Sequence, residues 1–245
     1  MHKLRTLHLF TGDGGGILGD LLLGHQPVCA VEIEPYCQQV LHERQQDGSL
    51  PWFPIFADVK EFDGKPWRGL VDVVCGGFPC QDISVAGSKM ESKGLSGERS
   101  GLWEEMRRIV GEVGPGFVFV ENSPALSFRG IGTVLSGLSE MGYNAEWGVI
   151  GAHHVGAPHK RERMWILAYA NKIRFNYQQK SAGQLFQKPQ CWDAFGTTFD
   201  ASKLEALGAF HGKANGMAGD VDRIAAIGNG QVPAVVRLAW KTLEP

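Results

Sequence analysis

Short apolar runs alternate with amphipathic stretches along most of the chain. The runs at 7–10, 28–32, 54–57, 71–75, 117–121, 146–150 and 164–168 have the length and near-continuous apolar character of strands buried on both faces of a sheet. Between most of them, 17–23, 35–43, 102–113 and 133–141 carry apolar residues at three- and four-residue spacings, the pattern of helices that lay one face on such a sheet. Pro35 stands where a helix starts most easily. Alternating strands and helices predict an α/β fold with a doubly wound, mostly parallel sheet. From residue 171 the periodicity fades, and Trp192, Phe195 and Phe199 are spaced through a segment rich in Gln, Lys and Gly. We expect a small irregular lobe over 171–223, whose aromatics form a mini-core or a stacking surface. The remaining residues, 1–170 with 224–245, form the main domain, and a helix over 235–243 is expected to fold back beside the first strand. No internal repeat or low-complexity tract interrupts this reading.

Composition narrows the picture modestly. At 245 residues the chain holds one full α/β domain and a small appendage. A formal net charge of −2 excludes a uniformly basic coat but not a local groove for nucleic acid. Between 160 and 188, indeed, Lys160, Arg161, Arg163, Lys172, Arg174, Lys180 and Lys188 face a single acid, Glu162. The five cysteines, Cys29, Cys37, Cys75, Cys80 and Cys191, show no Cys-x-x-Cys spacing for a metal or redox centre. Reduced thiols, an amino terminus that enters a strand without a signal-like apolar core, and no run of membrane-spanning length lead us to expect a soluble, cytoplasmic, metal-free monomer.

The strand ends carry the candidate chemistry, because ligands of open α/β sheets bind at the carboxyl edge. After the first strand comes Phe10-Thr11-Gly12-Asp13-Gly14-Gly15-Gly16, a turn in which backbone N–H groups can approach a ligand unobstructed. Taken alone it suits a dinucleotide, a flavin, S-adenosylmethionine or a plain tight turn. Glu32 closes the second strand, placed to accept from ribose hydroxyls, with Glu34 as its rival; Asp58 follows the third, placed to meet an adenine amino group. The fourth leads into Gly76-Gly77-Phe78-Pro79-Cys80-Gln81 and the fifth into Glu121-Asn122. A lone cysteine is as often a small buried hydrophobe, and a Glu after a strand as often a helix-cap acid.

Together with Pro158-His159-Lys160-Arg161-Glu162-Arg163, the order and spacing of these motifs resemble the cytosine-C5 DNA methyltransferases, in particular the compact bacterial and phage-type members. The resemblance runs from about residue 4 to 170 and resumes at Gly228-Asn229-Gly230-Gln231-Val232-Pro233. It implies S-adenosylmethionine as cofactor and S-adenosylhomocysteine as product, with Phe10, Thr11, Gly12, Gly14, Gly15, Glu32, Ile33, Asp58, Val59, Pro79, Leu102, Asn229 and Gly230 as cofactor contacts. It implies duplex DNA as substrate, with Gln81, Ser84, Lys89, Lys160 and Arg161 on the DNA side and 171–223 as target-recognition region. Two settings remain open, work beside a cognate restriction endonuclease and solitary modification.

The implied chemistry is consistent with the residues. C5 of cytosine is a poor nucleophile, and addition of the Cys80 thiolate at C6 pushes electron density towards it. Charge then develops towards N3 and O2, where Glu121, supported by Arg163 and Arg161, can stabilise it. No residue stands out as the base that removes the C5 proton. A stacked base hides C6, so the cytosine must leave the duplex, and the Gly-, Ser- and Lys-rich stretch 81–101 has the composition of a closing loop. The sequence departs from the family pattern at Ile33, where an aromatic is frequent, at His159, where Gln is usual, and at Ser123, where Val is common. Rival readings are a transfer-RNA cytosine-C5 methyltransferase, a DNA-binding relative that has lost catalysis, and a nucleotide-binding oxidoreductase, which gives no reason for Pro79-Cys80-Gln81.

Overall fold

A computed structural model describes residues 3–79, 101–171 and 230–245. Among them seven strands form one sheet: β1 (Arg5–Leu9), β2 (Gln26–Val31), β3 (Ile55–Phe56), β4 (Val73–Gly76), β5 (Phe117–Asn122), β6 (Tyr143–Ile150) and β7 (Arg163–Ala170), in the order β3-β2-β1-β4-β5-β7-β6. Neighbours from β3 to β5 are parallel, and β7 runs antiparallel to both β5 and β6. The doubly wound, mostly parallel sheet is therefore present. The topology reverses between β1 and β4, which places a ligand crevice at their carboxyl ends.

Helices α1 (Gly15–Leu23), α2 (Pro35–Gln46), α3 (Gly101–Val113), α4 (Leu126–Arg129), α5 (Ile131–Glu140) and a closing helix (Pro233–Leu243) cover the sheet. Alternation along the strands divides the core in two. On one face Val74, Val118, Val120 and Ile166 pack with Trp103, Met106, Ile109, Val110 and Val113 of α3, an i, i+3, i+4 stripe. On the other, Val73, Cys75, Phe117, Phe119, Trp165 and Leu167 pack with Val235, Val236, Ala239 and Trp240 of the closing helix. Phe119 stacks on Trp165 at 5.2 Å and meets Trp240 edge-on at 5.4 Å.

One expectation needs correcting: the principal packing partners of the closing helix are α1, the short 3-10 turn Ala152–Val155, β6 and β7 rather than β1. The approach to α1 is close because Gly19 offers no side chain, and a Cβ there would run into Val236. Beneath that contact lies a buried polar network. Asp20 of α1 bonds to His8 Nε2 at 2.7 Å and to His25 Nδ1 at 3.3 Å, and Thr6 Oγ1 lies 3.4 Å from His8 Nε2. Burial alone would push the Asp20 carboxyl up. The charge of His8 and the hydrogen bonds of His25, His8 and Thr6 outweigh it and hold the carboxyl well below the usual carboxylate range. Burial, with the Asp20 charge added, pushes the nearby Cys75 thiol well above its ordinary value. Of the segment 171–223 only Asn171 is described. Among the described residues no helix is long and apolar enough to cross a membrane.

Candidate active site at the carboxyl edge of the sheet

The turn after β1 is built by backbone conformations that few residues adopt. Phe10 (φ 54°), Gly12 (φ 60°) and Gly14 (φ 92°) are left-handed. Strain at Phe10 is held by Thr11, whose N–H and hydroxyl both donate to the Val31 carbonyl, at 3.2 and 3.1 Å. The Glu32 carboxylate accepts the N–H of Gly12 at 2.5 Å and that of Glu34 at 2.8 Å. Loss of water pushes the Glu32 carboxyl up, opposed by those two bonds. Each carboxylate oxygen keeps a second lone pair, so Glu32 can still receive a ligand hydroxyl. Space beside Gly12 is open, with nothing within 4 Å of a Cβ built there, and Ile33 is 63 % exposed.

Asp58 caps its own turn by accepting the Lys60 N–H at 2.8 Å, and Val59 beside it is buried. A residue not singled out in the sequence fixes this turn. Arg108 of α3 donates to the carbonyls of Val59 (2.8 Å) and Phe62 (3.0 Å), and Glu105 and Glu112 hold its guanidinium at 2.9 Å each. Only the spacing of Glu105, Arg108 and Glu112 along one helix face hinted at it.

Glu121 ends β5 on the closing-helix face. Trp165 stands opposite it in register, and Arg163, two residues before Trp165 at the start of β7, lies on the same face. Arg163 Nε therefore reaches Glu121 Oε1 at 2.9 Å. Loss of water pushes the Glu121 carboxyl up, opposed first by the charge of Arg163, then by a hydrogen bond from Gln231 and the charge of Arg161. Gln231 Nε2 lies 3.5 Å from Glu121 Oε2. These residues line a small cleft with Arg161, Gly230, Val232 and Val235.

Arg161 has a left-handed backbone (φ 33°), and its guanidinium donates to the Gly230 carbonyl. Burial lowers its pKa, as does Arg163, while Glu121 and Asp13 favour its charge. It is thus turned towards the protein. Lys160 and His159, beside it, are exposed. Asp13, which the sequence offered only as a turn residue, is pushed up by burial and is eased by hydrogen bonds with the Gly15 and Asp13 backbone and by the charge of Arg161. The glycine turn and the arginine pair are therefore electrostatic neighbours.

β4 ends one residue before Gly77. Phe78 is buried, and its carbonyl accepts Asn122 Nδ2 at 3.1 Å, which ties the start of Pro79-Cys80 to the end of β5. Pro79 is exposed, and Leu102 packs against the core at the start of α3. Cys80, Gln81, Ser84, Lys89 and Asn229 lie outside the described residues. The structure thus brings Glu121, Arg161, Arg163 and Gly230 into one cleft, puts the glycine turn, Glu32 and Ile33 beside one another, and leaves Lys160 outside.

Residues 4–213 match the C-5 cytosine-specific DNA methylase family model. The chain is 35% identical over 177 residues to the type II methyltransferase M.CviJI of Paramecium bursaria Chlorella virus IL3A, covering 72% of this chain and 45% of that one. It is 33% identical to M.Eco47II of Escherichia coli, over 69% of this chain and 40% of the relative. Among solved structures, the S. pombe Dnmt2 methyltransferase superposes with a TM-score of 0.55 at 20% identity, covering 76% of this chain and 53% of that one, which is a likeness of fold. The chain spans about half the length of the curated relatives it matches. A match over most of its length makes this chain a member of the C-5 cytosine-specific DNA methylase family.

Proposed function

We propose that the chain methylates C5 of cytosine in duplex DNA, with S-adenosylmethionine as methyl donor. The observation that carries the reading is the convergence of a carboxylate gripped by arginine, a glycine-rich turn and the Phe78-Pro79 segment after β4 on one sheet edge. The residues of the first crevice suit that cofactor. Gly12 leaves open backbone space, Glu32 supplies an acceptor for ribose hydroxyls, Asp58 and Val59 lie after the next strand, and Ile33 offers an exposed apolar surface for adenine. S-adenosylmethionine, when bound, supplies the electrophilic methyl group.

The protein's own residues prepare the base. Cys80 sulfur, as thiolate, bonds to C6, and the displaced electron pair raises density at C5 while charge accumulates towards N3 and O2. Glu121, whose carboxyl is held up by burial, shares a proton with N3 there, and Arg163 fixes its orientation. Once C5 is methylated, a water molecule takes the C5 proton, the C–H electron pair reforms the C5–C6 double bond, and the carbon–sulfur bond breaks to release Cys80 as thiolate. Lys160 and His159, exposed at the mouth, face the DNA backbone, and 171–223 reads the target. The type II methyltransferase names of the curated relatives favour DNA over transfer RNA.

The test is methyl incorporation from tritium-labelled cofactor, with unmethylated duplex DNA and transfer RNA compared side by side. We expect 5-methylcytosine in the DNA. Label confined to transfer RNA, or absent from both while cofactor still binds, would refute the assignment.

A further inference from the structure

Gln231 lines the Glu121 cleft and also touches the glycine turn. Its backbone carbonyl occupies the space a Cβ on Gly15 would take, and its Oε1 lies 2.6 Å from where one on Gly16 would stand. On the other side of the same amide group, Nε2 faces Glu121 Oε2 at 3.5 Å and lies 3.5 Å from a Cβ built on Gly77. A Cβ on Gly77 would itself meet Glu121 Oε2 at 2.7 Å. The side chain is therefore threaded between the cofactor turn and the end of β4, through gaps that exist because Gly15, Gly16 and Gly77 have no side chains.

We propose that Gln231 is a positioning residue for the reaction: it holds the second oxygen of the Glu121 carboxylate while Arg163 holds the first, and so locks the carboxylate plane to the glycine turn. This rests on the reading of Glu121 as the group that meets N3. The geometry is that of a two-sided clamp. Arg163 reaches Oε1 from β7 and Gln231 reaches Oε2 from the segment before the closing helix, fixing a torsion that either alone leaves to rotate. Arg161, from the turn before β7, and Asp13 beyond it are the other charged groups near this pair among the described residues. An amide suits the position. It donates without adding charge, whereas a lysine would bring a third cation beside Arg161 and Arg163, and a glutamate would set a second carboxylate against Glu121.

The test uses Gln231→Met, similar in length but without the donor, and reads the Glu121 side-chain carboxyl by carbon-13 NMR titration, assigned by its loss in Glu121→Gln. We expect the midpoint to move up by about 0.5–1 pH unit, since a donor to the ionised form has been removed. On duplex DNA we expect kcat to fall about tenfold and the cofactor KM to change less than about threefold. An unmoved midpoint, or a rise in cofactor KM with kcat unchanged, would overturn the proposal. If Gln231→Met does not fold, Gln231→Glu replaces it, and its Glu121 midpoint must rise further. The NMR titration does not depend on turnover: a wild-type chain that leaves DNA unmethylated refutes the assigned activity, whereas the Glu121 midpoint alone decides the clamp.

Discussion

Asp20 and Glu121 are both carboxylates taken from water and set beside basic side chains, yet the fold drives them in opposite directions. Asp20 sits in the seam between α1 and the closing helix, with its side chain 1% exposed and His8, His25 and Thr6 around it. Glu121 sits at the sheet edge, 13% exposed, with one close cation that is itself partly in solvent. The first is solvated by the protein well enough to stay ionised far into acid. The second is short of stabilising partners, and burial prevails. A sealed and satisfied network is the mark of a structural device, whereas an acid whose pKa is raised by burial and which stays open on one side is the mark of a candidate site.

The largest difference is expected between Cys80, the proposed nucleophile, and Cys75 of the buried network. Cys80→Ala should cut DNA methylation by at least about 1,000-fold, while Cys75→Ala, in the interior network, should keep turnover within a few-fold of wild type. Equal losses, measured by labelled methyl incorporation per folded molecule, would erase the distinction. Next in size, Glu121→Gln should lower kcat about 100- to 1,000-fold with its melting temperature at pH 7.5 no lower than wild type. The raised Glu121 pKa means that ionising it opposes folding, so stability is lost as pH rises from the ordinary glutamate value through the folded one, and the amide escapes that loss.

Asp20→Asn should do the reverse, costing about 2–3 kcal/mol in urea unfolding at pH 7 with kcat nearly intact. Because the folded pKa of Asp20 is depressed, its contribution is present in full above the ordinary aspartate value of about 3.9 and is lost as pH falls towards the folded one. The gap between wild type and variant should therefore narrow below pH 4, and a constant gap would deny the network its charge. The smallest effect is expected at the mouth. Lys160→Ala should reduce the slope of log binding constant against log salt for duplex DNA by about 0.9, and Arg161→Ala, turned towards Gly230, should change that slope less.

Most strands and helices were legible in the sequence, their ends shifting by a few residues at most, since period-two and period-3.6 patterns need only neighbours along the chain. The same holds for the strand-end acids Glu32 and Glu121. Asp13, Gln231 and Arg108 were not marked out, because an aspartate in a turn, a glutamine before a helix and an arginine on one look ordinary until their partners are known. The buried His8–Asp20–His25 network was equally silent, its members reading as scattered polar residues in apolar surroundings.

By itself, then, the chain determined which segments form strands and helices and which residue types stand at the strand ends, since hydrophobic periodicity and turn chemistry are local. Only the tertiary structure decided that Gln231 meets Glu121 across 110 residues and that Arg161 faces inward. It also decided that two acids in similar company titrate apart. Those outcomes depend on how much water is excluded and how many donors converge, which are properties of packed surfaces and have no counterpart in the order of residues.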